Sequence, residues 1–327
     1  MSTLRLFPES CPNNSHPLPG IHARVGFWTL FLFVSCLLPT TTRAADPAVP
    51  DIRADVNEVQ LEMVATDAAG QPVSNLVPAD LKVLEDGLPV NQFGVSSARD
   101  LPLFATVIYD TSESNQKCWR QMQKPVIHFV QSTIGKQDLL WVAAFDSKIR
   151  FDIQIHESDQ LSHALNVSGD NDNATAFNDA LLRTLRDRPP ADAKPRRAAM
   201  IVFSDGEDND SIHSLHDVIA AAQQAKVAVY TIHRTNSRGW GNGDRVLHAI
   251  ASGTGGQDFT VANARELEQA LATITRDLRS GYVLYYRARP SRGNEYRSVS
   301  VRPNRSKHIR VQVQNAYYVP ADSRATQ

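Results

Sequence analysis

The chain has 327 residues, with 34 basic and 35 acidic side chains and a formal net charge of -1. That balance leaves no electrostatic case for nucleic acid or an anionic membrane surface as a partner. Apolar residues make up 42% and aromatics 7%, the composition of a folded globular body large enough for one large domain or two modest ones.

The amino terminus reads as a targeting segment. His22-Ala23-Arg24 precedes an uncharged apolar run from Val25 to Leu38, and Thr42-Arg43-Ala44 offers small residues for cleavage after Ala44 or Ala45. The run is short for a full span, so cleavage and export are expected ahead of a retained anchor. Phe33-Val34-Ser35 is a poor lipidation signal ahead of Cys36. Cys11 and Cys36 leave with such a leader. Cys118 then stands alone, with no disulfide and no thiolate metal site, and reads as a half-buried helix residue.

After a Pro- and Asp-rich linker, Val56 to Thr66 alternates as a strand does, with Val59, Leu61 and Met63 on one face. Asp67 to Pro72 is turn chemistry. Leu81 to Glu85 reads as a strand, Asp86-Gly87 as a hairpin turn, and Pro89 to Val95 as the return. Such a module of about four strands is short to stand alone and is expected to pack on the domain C-terminal to it.

From Leu101 strands alternate with helices. Strands are expected at Phe104–Tyr109, Leu139–Phe145, Ala198–Ser204 and Val227–His233, with Phe151–Ile155 pairing beside the second. Helices are expected at Gln116–Thr133, bent or restarted by Pro125, at Ala176–Arg186 before Arg188-Pro189-Pro190, at Leu215–Ala225 and at Val246–Ser252. Leu267, Leu271, Ile274 and Leu278 mark one face of a further helix from Glu266 to Leu278. Repeated units of this kind predict an α/β fold with a doubly wound, mostly parallel sheet. Strands resume at Tyr282–Ala288, Tyr296–Val301 and Ile309–Val313.

The segment Tyr109-Asp110-Thr111-Ser112-Glu113-Ser114 leaves the end of a buried apolar strand, the edge at which open α/β sheets bind ligands. Asp110, Ser112 and Ser114 supply a carboxylate and two hydroxyls, all oxygen donors suited to a hard cation. Taken singly, Asp110 with Ser112 caps a helix, Thr175 caps the next, and Asp205-Gly206 is a turn. Taken together, Asp-x-Ser-x-Ser, then Thr175 before a helix, then Ser204-Asp205-Gly206 after a strand resemble the metal-ion-dependent adhesion site of von Willebrand factor type A (VWA) domains. The flanking strands, with Ala249 to Gly256 and Leu278 to Tyr286, resemble the bacterial VWFA-related group.

The resemblance implies a Mg²⁺ site, with Mn²⁺ or Ca²⁺ as alternatives. Ser112 and Ser114 would bind the metal directly, and Thr175 directly or through water. Asp110 and Asp205 would stand behind coordinated waters, and an open position would take an Asp or Glu carboxylate from a protein partner. Glu113 stands where the family usually has a small residue, and Asn173-Ala174 where it often has Gly-Gly. Glu207, Asp208 and Asp210 read as a solvated acidic loop, or as ligands of a second cation. No helical His pair has zinc-ligand spacing.

The expected organisation is a signal peptide over residues 1–45, a small β-sandwich-like module over 46–99, a type A domain over 100–285 and a β-strand extension over 286–327. The expected function is non-enzymatic: an exported binding module for adhesion or assembly, periplasmic, secreted or cell-envelope associated, with no membrane span once the leader is cleaved. The alternatives are a metal-dependent hydrolase of phosphate or ester, with Asp110 as nucleophile and Asp205 on the metal, and a structural domain whose site is vestigial. Against the hydrolase, no second acid stands two residues after Asp110, and neither a nucleophile elbow nor a P-loop is present.

Overall fold

A computed structural model describes residues 58–155, 158–166, 169, 174–187, 196–234, 241–290, 295–304 and 308–319. The expected leader and the Arg188-Pro189-Pro190 helix stop lie outside the described residues. The strands are β1 (Glu58–Asp67), β2 (Leu81–Glu85), β3 (Leu88–Pro89), β4 (Phe93–Ser97), β5 (Leu103–Asp110), β6 (Leu139–Phe145), β7 (Ile149–Ile155), β8 (Arg197–Phe203), β9 (Val227–Arg234), β10 (Asp258–Val261), β11 (Tyr282–Arg287), β12 (Glu295–Pro303), β13 (Ile309–Val313) and β14 (Ala316–Val319). The helices are α1 (Glu113–Thr133), α2 (Ser158–Ala164), α3 (Phe177–Arg186), α4 (Leu215–Gln224), α5 (Asn242–Thr254) and α6 (Ala264–Ser280).

The central sheet has the order β10-β9-β8-β5-β6-β7. Only β7, joined to β6 by a short turn, runs antiparallel to its neighbour. All eight residues of β5 are buried, because helices cover both faces of the sheet. Its alternate side chains feed two cores. Leu103, Ala105, Val107 and Tyr109 pack with Trp119, Met122 and Val126 of α1 and with Leu267, Leu271, Ile274 and Leu278 of α6. Ile108 packs on the other face with Phe177 and Leu181 of α3, Val218 of α4, and Leu247 and Ile250 of α5. The apolar face read from the sequence of α6 is thus the buried one. α1 runs unbroken through Pro125, and half-buried Cys118 lies on it.

The flanking strands make two four-stranded sheets, β13-β1-β11-β4 and β14-β12-β2-β3, whose inner faces share one core. Val59, Leu61 and Met63 of β1 face that core, as their alternation predicts. The amino-terminal and carboxy-terminal strands do not form separate sheets. β1 lies between β11 and β13, and β2 lies between β12 and β3. β11 separates β1 from β4, and β2 pairs within its own flank only with the two-residue β3, so each sheet is completed by strands of the other flank. At the β2–β3 hairpin, Asp86 and Gly87 both take positive φ, 49° and 75°, the two-residue turn that matches strand twist.

Several elements are longer than the sequence implies or unexpected. α5 extends four residues earlier and two later than predicted, and α2 and β10 are elements the sequence pattern does not predict. Among the described residues no helix is long and apolar enough to cross a membrane.

Buried Arg197, the first residue of β8, ties the flanking sheets to the central one. Its Nε donates to Glu62 of β1 at 3.1 Å, and Nη1 donates to the carbonyls of Asp277 and Leu278 at the end of α6. Removing one member of a buried pair leaves the other charge unmatched. Arg197→Met is therefore expected to lower unfolding stability by about 3 kcal/mol, measured by urea denaturation. A loss no larger than that of an exposed-site control would show that this tie carries no stability.

Candidate metal centre

Parallel pairing sets the site. β6 and β8 flank β5 in parallel, so the three strands end at the same edge of the sheet. Asp110 closes β5 and is 1% exposed. Its Oδ1 accepts from the Ser112 backbone N–H at 2.8 Å, and its Oδ2 accepts from Ser204 Oγ at 2.8 Å and Asn115 Nδ2 at 3.0 Å. Ser204 Oγ in turn accepts from Gly206 N at 3.0 Å. The first and last predicted segments are thus bonded to each other across adjacent strands.

Ser112 stands at the N-cap of α1, but its side chain does not cap the helix. Its Oγ lies 3.2 Å from Ser114 Oγ instead. Thr175 does not cap α3 either, since Ala176 holds that position. The capping readings of Ser112 and Thr175 therefore fail. Their hydroxyls are not consumed by helix ends.

Thr175 is buried and is held on two sides. Ala176 N donates to the carbonyl of Asp146, just past β6, at 2.8 Å. Thr175 N donates to Asn209 Oδ1 at 2.8 Å, and its carbonyl accepts from Asn209 N and Asp210 N. Thr111 fastens the first loop to the same place, with its N and Oγ1 both donating to the Phe145 carbonyl at 2.7 and 2.8 Å. Asp205 is half-buried, and its Oδ1 accepts from Glu207 N at 3.2 Å.

Gly206 has φ +74°, and a Cβ there would lie 2.5 Å from the Gly243 carbonyl. Only glycine fits this turn against the start of α5.

Three polar groups of the site escaped the sequence reading as named site residues: Ser204, Asn115 and Asn209. Ser204 had a signal, the residue before Asp205-Gly206. Asn209 had none, because its partner is 34 residues away. Glu113, exposed, sits in the first turn of α1, where a carboxylate is favoured by the helix dipole. Asp208 spends its oxygens on the backbone N–H groups of Asn178, Asp210 and Ser211, a loop-building role.

A divalent ion fits this donor set. Neighbouring ligands in octahedral Mg²⁺ coordination, with bonds of about 2.0–2.1 Å, stand roughly 2.9 Å apart, close to the spacing of the two serine hydroxyls. Burial, helped by the nearby Asp205 carboxylate, pushes the Asp110 carboxyl up to about 6 against the hydrogen bonds from Ser112 and Ser204. Two acids at one sheet edge are relieved by a cation. Among the described residues no group of three His, Cys, Asp or Glu side chains could hold a metal.

The family model for the von Willebrand factor type A domain matches residues 106–273. The chain belongs to the von Willebrand factor type A domain family. No curated protein gave a match. Among solved structures, the VWA chain is similar to proximal thread matrix protein 1 of the mussel byssus, in a form with a zinc-occupied MIDAS motif, at 18% identity and a TM-score of 0.42 over 56% of this chain and 49% of that one. It is also similar to BatB of Bacteroides thetaiotaomicron, at 18% and 0.43 over 54% of this chain and 100% of that one. A third is the pilus adhesin SpaC of Lactobacillus rhamnosus GG, at 9% and 0.42 over 79% and 49%. The VWA chain spans about half the length of the mussel protein.

The raised Asp110 carboxyl makes a signed prediction. Its folded pKa lies above the ordinary value of 3.8, so the stability linked to its protonated form is present at low pH and lost as pH rises through about 6. In EDTA, the stability of Asp110→Asn relative to wild type should shift by about 2 kcal/mol in favour of the variant between pH 4 and pH 7. A difference that stays constant across that range, in parallel denaturation series, would contradict a strained carboxylate.

Proposed function

We propose that this VWA chain is an exported, non-enzymatic binding module that holds Mg²⁺ through Ser112 and Ser114, with Thr175 as a further ligand, and engages a carboxylate of a protein partner. Asp110 and Asp205 hold the coordination shell in place. Mn²⁺ or Ca²⁺ would serve the same oxygen donors. The metal supplies an electrophilic centre, and the chain's own part is to orient hydroxyls around it and keep most carboxylates one step back.

One observation carries the reading. Two serine hydroxyls stand side by side above a buried aspartate without being used to cap the helix they begin. We also propose that the leader over 1–45 directs export to the periplasm, cell envelope or exterior. The type A body over 100–285 would then work between the flanks at 46–99 and 286–327. No specific observation favours the hydrolase alternative.

Isothermal titration should show Mg²⁺ and Mn²⁺ binding to wild type, weakened roughly tenfold to a hundredfold or more in Ser112→Ala. Protein captured from the source cell envelope should be released by EDTA. Identical null titrations for wild type and variant would make the site vestigial. Metal-dependent phosphatase turnover lost in Asp110→Ala would replace the binding reading with the hydrolytic one.

A further inference from the structure

We propose that the rim of the metal face beside α3 is a docking surface for an acidic protein segment that also carries an apolar side chain, with Ile212 as the apolar anchor. This deepens the reading above and rests on it, since the metal takes one carboxylate of the same segment.

Ile212 is 88% exposed, the most exposed of the large apolar side chains among the described residues, ahead of Leu88 at 55%. A single exposed apolar residue is ordinary on a mobile loop. Here the backbone around it is pinned. Ile212 N and His213 N donate to the two Asp179 oxygens at 3.1 and 3.0 Å, Ser211 N donates to Asp208 Oδ1 at 3.0 Å, and Ser211 Oγ accepts from Asp179 N at 3.0 Å. The side chain therefore has no low-cost route to bury itself. The same stretch clips Thr175 through Asn209 and Asp210, which places Ile212 at the edge of the metal centre.

Next to it runs a groove of about 620 Å³, lined by Lys148, Ala176, Asp179, Arg183, Asp210 and His213. Two of its acid–base pairs are already closed. Asp179 Oδ1 meets His213 Nδ1 at 2.7 Å, and Arg183 Nε meets the Asp187 carboxylate at 3.1 Å. Two cations of the lining, Lys148 on the turn after β6 and Arg186 of α3, have no acidic partner among the described residues, against one such acid, Asp210. An incoming segment with one carboxylate for the metal, an apolar side chain for Ile212 and a second acid for Lys148 would offset the groove's excess of positive charge. The pinned loop lowers the ordering cost of such a contact.

The test pans a random peptide library displayed on phage against the immobilised full chain in Mg²⁺ and elutes with EDTA. Selected peptides are then titrated against wild type, Ile212→Ser and Lys148→Glu. Ile212 is so exposed that its replacement should leave the fold intact, and an unchanged Mg²⁺ titration checks this.

Binders should share an acidic residue, an apolar residue and a second acid. Ile212→Ser should weaken them about tenfold to a hundredfold. Lys148→Glu should weaken them several-fold, in a salt-dependent way.

Binders without an apolar residue, or equal binding to Ile212→Ser, would overturn the docking surface. So would an empty selection from protein that titrates Mg²⁺ normally, whereas protein that takes no Mg²⁺ would overturn the metal reading itself. An Ile212-dependent dimer in Mg²⁺, seen by sedimentation, would make the occupant a second copy of this chain and overturn the partner proposed.

Discussion

Burial of β5 between two parallel neighbours is the constraint on which the rest depends. A strand covered on both faces must be apolar throughout, and every residue of β5 is buried, Asp110 included. Its odd-numbered residues build the core under α1 and α6, and Ile108 joins the core under α3, α4 and α5. Register with β6 and β8 then leaves no freedom in where the chain emerges. Asp110 ends that run, so it is set at the sheet edge with its oxygens facing the loops that leave the neighbouring strands.

The edge is built against its own electrostatics. Asp110 is desolvated, lies close enough to Asp205 to feel its charge, and is compensated by three neutral donors rather than a basic side chain. Two other buried acids are paired with arginine, Glu85 with Arg297 and Asp146 with Arg150. Asp110 has no arginine partner among the described residues, and its oxygens stay turned to hydroxyls and N–H groups at the sheet edge. An arginine there would stabilise the fold and close the site.

The ends of the strands were legible from spacing, because they depend on short-range rules, while the grouping of their oxygen donors came from the family resemblance. Asp110, Ser112 and Ser114 sit on alternate residues after an apolar run, and Asp205-Gly206 follows another such run, so strand ends and loop starts could be placed locally. Hydrogen bonds between distant segments could not be. Ser204 meets Asp110 across 94 residues, and Asn209 meets Thr175 across 34. α5 ran beyond its expected bounds because Asn242, Gly243 and Gly253 are weak helix formers. Tertiary contact decides there: Gly243 packs against the Asp205 turn, and Gly255 closes the helix in a left-handed conformation. The pairing of β1 with β11 and β13 was invisible for the same reason, since alternation tells which face of a strand is buried and not which strand lies beside it.

That last pairing has a consequence for how the molecule is made. β1 emerges first, yet both strands that satisfy its backbone lie more than two hundred residues downstream. The β5-to-α6 segment can assemble from contacts within itself, while β1 and β2 wait as open edges through synthesis and any translocation. The final strands thus act as a closing seam. A chain cut short before them would keep the loops at the end of β5 and expose two unfinished ladders, so aggregation is the characteristic failure of an incomplete copy.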